Sequence, residues 1–393
     1  MKKIIFIANN NVGTGFSGGD RIFTEFLKNW KGKADLILLG SEEALNMSKE
    51  RGIDIKLVQT DKVNKSMPGG TLDFITHIFR RTFKGIICIR KNKKELRDAD
   101  FVYSASDFYP DFIPAIILKL KNPKIKWIAG YYLFAPSPFS SESVYRGKDK
   151  LKGIFYWFTQ IFSHFLIKNF ADYVFVTNEP DRKKFIGKRF DEGKVIAIRG
   201  GVDIDLANSV SETDKEYDAV FIGRFHPTKG VMELIDAWAE VCEKKHKARL
   251  GLIGVGVLEN EMRDKVARLN LQDNIVFLGF VDGLEKNKIF KKSRVALYPS
   301  TLDHWSMAPV EAMAAGLPLV TFNVGTLKHL DPKGMIRVDC FDIKEFAQGI
   351  IDLLGDKVLY ENMRKEAYDW ASKWDWKVRS KEIFDILNKE ENE

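Results

Sequence analysis

Three cysteines in 393 residues (Cys88, Cys242 and Cys340) are too few and too scattered for a disulfide framework or for the spacing of a metal site. A small disulfide-stapled scaffold is excluded, and a reducing compartment, the cytoplasm, fits. No apolar run approaches the roughly 20 residues needed to span a bilayer. The opening MKKIIFIANN breaks into Asn after a few apolar residues, so it is expected to be a first buried strand and not a signal peptide. Proline is sparse and no stretch is of low complexity, which leaves no candidate for a disordered linker. Hydrophobic residues make up 45%, enough for real cores, and the length calls for two domains.

Charge is plentiful but unevenly placed. Residues 1–200 carry 35 Lys and Arg against 21 Asp and Glu, a net +14, whereas the remainder is −6 within an overall +8. A basic first half on an acidic second half fits an anionic partner for the first, or simply lysine-rich solvated faces.

Short apolar runs alternate with helical patterns throughout, the signature of βα units on parallel sheets. Strands are expected at Lys3–Ala8, Asp35–Leu39, Asp54–Val58, Phe101–Ser104, Lys126–Ala129 and Tyr173–Thr177. A second set falls at Ala219–Gly223, Leu250–Gly254, Ile275–Leu278, Val295–Pro299, Leu319–Phe322 and Ile336–Asp339. Each half then makes a doubly wound domain, 1–196 and 197–375, with the crossover at Ile198–Asp203 and a last helix in 376–393 packing back on the first. Ligands in such sheets bind at the carboxyl ends of the strands, so two domains facing each other predict a cleft.

The segment Ser300–Pro318, STLDHWSMAPVEAMAAGLP, places Asp303 in a loop. A short helix opening with Pro309 should follow, with Glu311 in its first turn and a stop at Gly316 and Pro318. Free amides of that turn between two acids suit a phosphorylated, hydroxyl-rich ligand, which points to a nucleotide sugar. Upstream, Phe221–Gly230, FIGRFHPTKG, leads from a strand into a helix. It delivers Arg224 and Lys229 to the helix start, where two cations would grip a diphosphate as a leaving group. Taken alone the pair would be ordinary surface cations; the acidic motif downstream changes that reading.

GRFHPTKG together with D-x7-E-A-M-A-x-G-x-P resembles the retaining glycosyltransferases of family 4, which have the two-domain GT-B fold. Gly18-Gly19, Gly200-Gly201-Val202-Asp203 and Leu278-Gly279-Phe280-Val281 are similar to further marks of that family. The resemblance implies that Arg224 and Lys229 bind the donor diphosphate, and that Glu311 accepts from the ribose hydroxyls. It implies that Asp303 contacts the donor sugar, and that Trp305, Ser306, Met307 and Ala308 line the sugar and phosphate. Gly279, Phe280 and Val281 would lie near the base, and Gly18 and Gly19 would let backbone approach the phosphates. Asp303, Arg224 and Lys229 are the catalytic candidates. Three positions depart from the pattern: Asp303 stands where Glu is usual, Tyr131 where many relatives have His, and Gly325-Thr326 where two glycines are common.

Other signals have quieter readings. Gly13-Thr-Gly-Phe-Ser-Gly18 with Glu42 or Glu43 matches a dinucleotide fingerprint, but the residues from Asn9 to Val12 separate it from its strand. Asp203-Ile-Asp205 imitates a metal-binding D-x-D and is expected to be structural. His226 and His304 border the donor motifs and are left out of the catalytic set. The helix Leu151–Phe170, crowded with aromatic residues, and its companion Thr71–Arg90 read as core-facing stripes. Alternatively they form an interfacial surface on an anionic membrane.

The expectation is therefore a GT-B transferase that moves a sugar from a nucleoside diphosphate to a hydroxyl acceptor with retention. It would need no metal and no cofactor beyond the donor, bind no nucleic acid, and use an acceptor that is lipid-linked if the interfacial reading holds. A non-catalytic sugar-nucleotide-binding subunit and a nicotinamide oxidoreductase are the rivals.

Overall fold

The computed structural model describes residues 1–10, 17–62, 70–135, 137–139, 150–199, 201–302, 307–324 and 333–389. The chain forms two units, Met1–Arg199 with Ser380–Glu393, and Gly200–Arg379.

The first unit holds seven parallel strands: β1 (Lys3–Ala8), β2 (Asp35–Gly40), β3 (Lys56–Gln59), β4 (Phe101–Ser104), β5 (Lys126–Gly130), β6 (Tyr173–Val176) and β7 (Val195–Ala197). Their order is β3-β2-β1-β4-β5-β6-β7. Ile4, Ile5, Phe6 and Ile7 of β1 are all buried, because helices cover both faces of a parallel sheet and its strands read as near-continuous apolar runs. The second unit holds six: β8 (Tyr217–Ile222), β9 (Leu250–Ile253), β10 (Ile275–Gly279), β11 (Ser293–Tyr298), β12 (Leu319–Phe322) and β13 (Met335–Val338). They run β10-β9-β8-β11-β12-β13, again parallel. Both orders reverse beside the first strand, which makes each unit a doubly wound, Rossmann-like sheet.

Every expected strand is present, with ends shifted by at most two residues. The short β7 was not foreseen: three residues carry too little periodicity to read. The helix Trp376–Lys389 rejoins the first unit from Ser380 on. There the Ser380 carbonyl accepts the Trp30 indole N–H at 2.9 Å, and Trp30 packs on Phe384. Asp203 of the imitation D-x-D caps the helix Ile204–Asn208 by accepting from the Leu206 amide, a structural task.

Candidate functional site

In the second unit the chain leaves β8 at Ile222, crosses Gly223–Gly230 and enters the helix Val231–Lys244. Pro227–Lys229 form a single 3-10 turn, capped by His226, whose Nδ1 accepts from the Thr228 amide. Burial, with Arg224 and Lys229 nearby, holds the His226 imidazole below its usual pKa. Its role is to shape the turn. Gly230 follows with φ of 62°, and a Cβ there would lie 1.9 Å from the Pro299 carbonyl oxygen. Only glycine lets this loop close on the end of β11.

The two loops are stitched together by the chain itself. Ser300 Oγ donates to the Thr228 carbonyl at 2.9 Å, and the Thr301 amide donates to the same oxygen at 3.0 Å. Lys229 Nζ donates to the Tyr298 hydroxyl at 2.8 Å and lies 5.2 Å from that ring's centroid. Tyr298 is the last residue of β11, so the ammonium is fixed at the carboxyl end of the sheet. Arg224 is exposed and forms no ion pair among the described residues. Two cations thus stand at a strand-to-helix turn with its helix amides, one anchored and one open to solvent.

The acidic motif forms a helix over Met307–Ala314, two residues earlier than expected. Pro309 therefore sits third and Glu311 lies in the second turn; Pro is tolerated there because the first-turn amides need no intrahelical partner. Gly316, with φ of 86°, ends the helix as foreseen. Met307 and Ala308 are half-buried at its start. Asp303, Trp305 and Ser306 lie outside the described residues.

Glu311 is not alone. Its Oε2 accepts from Lys286 Nζ at 2.9 Å, and the same ammonium reaches Asp282 Oδ1 at 2.7 Å. Lys286 is buried on the helix Gly283–Lys291, which follows directly on Gly279, Phe280 and Val281. Of those three, Gly279 has φ of 70°, Phe280 is exposed, and Val281 packs against the hydrophobic core. The structure thus joins two motifs, the segment expected near the base and the acid expected on the ribose, through a lysine that sequence reasoning missed. A lone Lys in a helix that also carries Lys288 and Lys291 gives no signal of its own.

In the first unit, Gly18 and Gly19 are the first residues of the helix Gly18–Trp30 and not a loop. Ser17 caps this helix in a reciprocal box with Asp20. A Cβ at Gly19 would make only ordinary contact with Tyr132. Glu43, the candidate for a dinucleotide ribose, instead accepts from Arg81 at 2.7 Å in a buried pair. Tyr131 is corrected as well: it is 1% exposed and packs among Phe134, His164 and Phe185, with burial raising its pKa. A ring in the core cannot face an acceptor.

Two buried acids at the carboxyl end of this sheet escaped sequence reasoning. Asp111 accepts from the Asn9 amide at 2.6 Å and the Asn10 amide at 3.0 Å. Asp107 accepts from Gln160 Nε2 at 3.0 Å, and burial outweighs that bond to push its carboxyl up to about 6. A raised carboxyl pKa contributes stability that is complete below the unfolded value of about 4 and lost as pH rises through about 6. Asp107→Asn is therefore expected to remove up to about 3 kcal/mol of pH-dependent destabilisation between those limits. Melting curves across that range check it; identical pH slopes for both proteins contradict the assignment.

Comparison with known proteins bears on both units. Residues 204–370 match the family model described as glycosyl transferases group 1. An uncharacterized glycosyltransferase of Methanocaldococcus jannaschii is 29% identical over 189 residues, covering 47% of each chain. The poly(glycerol-phosphate) alpha-glucosyltransferase of Bacillus subtilis is 23% identical over 164 residues, covering 41% of this chain and 24% of that protein. The chain spans about half or less of these curated relatives. Among solved structures, Anabaena Alr3699/HepE in complex with UDP and glucose superposes with a TM-score of 0.72 at 15% identity, covering 99% of this chain and 100% of that one. Sucrose-phosphate synthase from Thermosynechococcus elongatus gives 0.73 at 16% identity, covering 99% of both chains. The fold is GT-B, and the match to the glycosyl transferases group 1 model falls within the second unit.

Proposed function

We propose that this chain is a retaining glycosyltransferase of family 4 type that moves a hexosyl group from a nucleoside-diphosphate sugar to a hydroxyl acceptor. The observation that carries the reading is the stitched pair of loops holding Arg224 and Lys229 at the carboxyl edge of the second sheet. The donor diphosphate lies against these cations and the amides opening the helix Val231–Lys244. Charge that develops on the leaving oxygen as the glycosidic bond breaks meets a field already in place. The guanidinium and ammonium with those amides supply it, and no metal or cofactor beyond the donor is required. Glu311, oriented by Lys286, accepts from the ribose hydroxyls as a two-oxygen acceptor. The stretch from Asp303 to Ala308 contacts the donor sugar.

Retention follows when the acceptor hydroxyl attacks the anomeric carbon on the face the diphosphate leaves. The departing phosphate takes the hydroxyl proton, so Tyr131 in the core has no base to replace. The product is a glycolipid, a cell-surface polysaccharide or a glycoconjugate, and the relative named as a poly(glycerol-phosphate) alpha-glucosyltransferase supports a glycosyl group passing to a polymer. The acceptor is lipid-linked, and the enzyme works in the cytoplasm against the inner face of an anionic membrane. Nucleic acid is not a partner.

A thermal-shift panel of UDP-, GDP-, ADP- and TDP-sugars against NADH tests the donor reading. One sugar nucleotide should raise Tm by several degrees at a concentration well above its Kd. A shift with NADH alone would favour the oxidoreductase. Donor binding with no release of nucleoside diphosphate to any acceptor would favour the non-catalytic subunit.

A further inference from the structure

The two helices present the expected core-facing stripes, with Ile78, Ile89 and Ile167 buried, but each also turns large apolar side chains outward. On the helix Thr71–Lys91, Leu72, Phe79 and Phe83 are exposed; on the helix Lys150–Phe170, Phe158, Phe162 and Phe165 are. The least exposed of the six, Phe162, still shows 47% of its surface. The spacing 72, 79, 83 falls on one side of a 3.6-residue helix, and so does 158, 162, 165. Ring contacts join the two stripes: Phe79 touches Phe155 and Tyr109, and Tyr109 touches Phe162. The patch is therefore continuous across both helices, unlike single exposed apolar residues, which are common and need no account.

The opposite sides of these helices are held rigidly. Arg81, buried on the inner side of Thr71–Lys91, donates to Glu43 at 2.7 Å and to the Asn9 carbonyl at 3.0 Å. Gln160, on the inner side of the other helix, reaches Asp107 and the Leu133 carbonyl. The outward stripes are thus fixed by the fold and cannot roll inward.

Charge decides what covers them. Together the two helices carry eight Lys and Arg and one acid, Asp73; the helix Lys150–Phe170 has none. Arg90, Lys150, Lys152 and Lys168 are at least partly exposed on them, while Arg80 and Lys84 pair with the buried Asp61. No helix among the described residues is long and apolar enough to cross a membrane. Aromatic and aliphatic side chains set among cations, on helices that do not span, match the boundary between acyl chains and anionic headgroups.

We propose that the face formed by Thr71–Lys91 and Lys150–Phe170 docks on an anionic lipid bilayer, with the six apolar side chains entering the headgroup boundary. This names the surface for the membrane partner of the proposed function. It does not depend on the donor site: vesicle binding is read without any transfer, so either reading can fail while the other stands.

The test uses co-sedimentation of the full chain with phosphatidylcholine vesicles, with and without phosphatidylglycerol, at low and high salt. Binding is expected to need phosphatidylglycerol and to weaken with salt. Lys150→Ala with Lys168→Ala should weaken it about fivefold per charge removed. Phe162→Ser with Phe165→Ser should abolish most of the remainder while lowering Tm only slightly, because Phe165 is exposed and Phe162 gives up little beyond its contact with Tyr109. A wild-type chain that stays in the supernatant overturns the proposal, as does a Phe162→Ser/Phe165→Ser protein that sediments like wild type. A concentration-dependent dimer that the same serines dissociate, with no vesicle binding, would assign the face to a second copy instead.

Discussion

Arg224→Ala is expected to lower kcat/KM for the sugar-nucleotide donor by about 10²–10³-fold while leaving Tm nearly unchanged. The rate figure is the usual loss when one preorganised donor to a developing oxyanion is removed. The stability figure follows from exposure: Arg224 is open to solvent and forms no ion pair among the described residues, so its removal strands no buried partner. Lys229→Ala should cost as much in rate but also about 1 kcal/mol of stability, since its bond to Tyr298 goes with it. Steady-state kinetics beside calorimetric melting separate the two effects. Transfer that survives a substitution at wild-type rate would remove that residue from the diphosphate site.

Lys286→Met should act on stability and donor binding together. Breaking a buried ion pair costs about 3–5 kcal/mol when both partners are dry. Here the partners are less so, Glu311 at 12% and Asp282 at 25% side-chain exposure, and about 2 kcal/mol is the better expectation. Without the ammonium the Glu311 carboxylate loses one of the contacts that orient it, and donor Kd should rise about tenfold, the worth of roughly one charged hydrogen bond. Adding Glu311→Gln should recover part of the stability, because only one of the two carboxylates that shared the ammonium is left, but none of the affinity. If the single substitution leaves Tm and Kd where they were, Lys286 does not position Glu311.

How much of this was readable beforehand depends on the range of the signal. The loop Gly223–Gly230 was legible because its glycines, proline and cations are neighbours in the chain, between a strand and a clear helical pattern. Glu311 was legible for the same reason. Its partner was not: Lys286 lies 25 residues upstream, and nothing in the helix Gly283–Lys291 distinguishes it from Lys288 or Lys291. Tyr131 was misplaced because a tyrosine just past a strand end can face either the core or solvent. The choice fell to Phe134, His164 and Phe185, which no periodicity reveals. The aromatic helix was the opposite case: a stripe that hydrophobicity alone would turn inward is turned outward, because Gln160 on its other side is tied into the unit.

The sequence by itself determined that this chain would fold as two βα-alternating halves, with a cationic turn and an acidic helix in the second. Those follow from periodicity and from glycine and proline punctuation, which act over a few residues. Only the tertiary structure decided that Thr228 ties the two loops together, that a buried lysine orients Glu311, and that two aromatic stripes form one surface. These depend on which distant side chains meet, and that is set by packing of the whole unit.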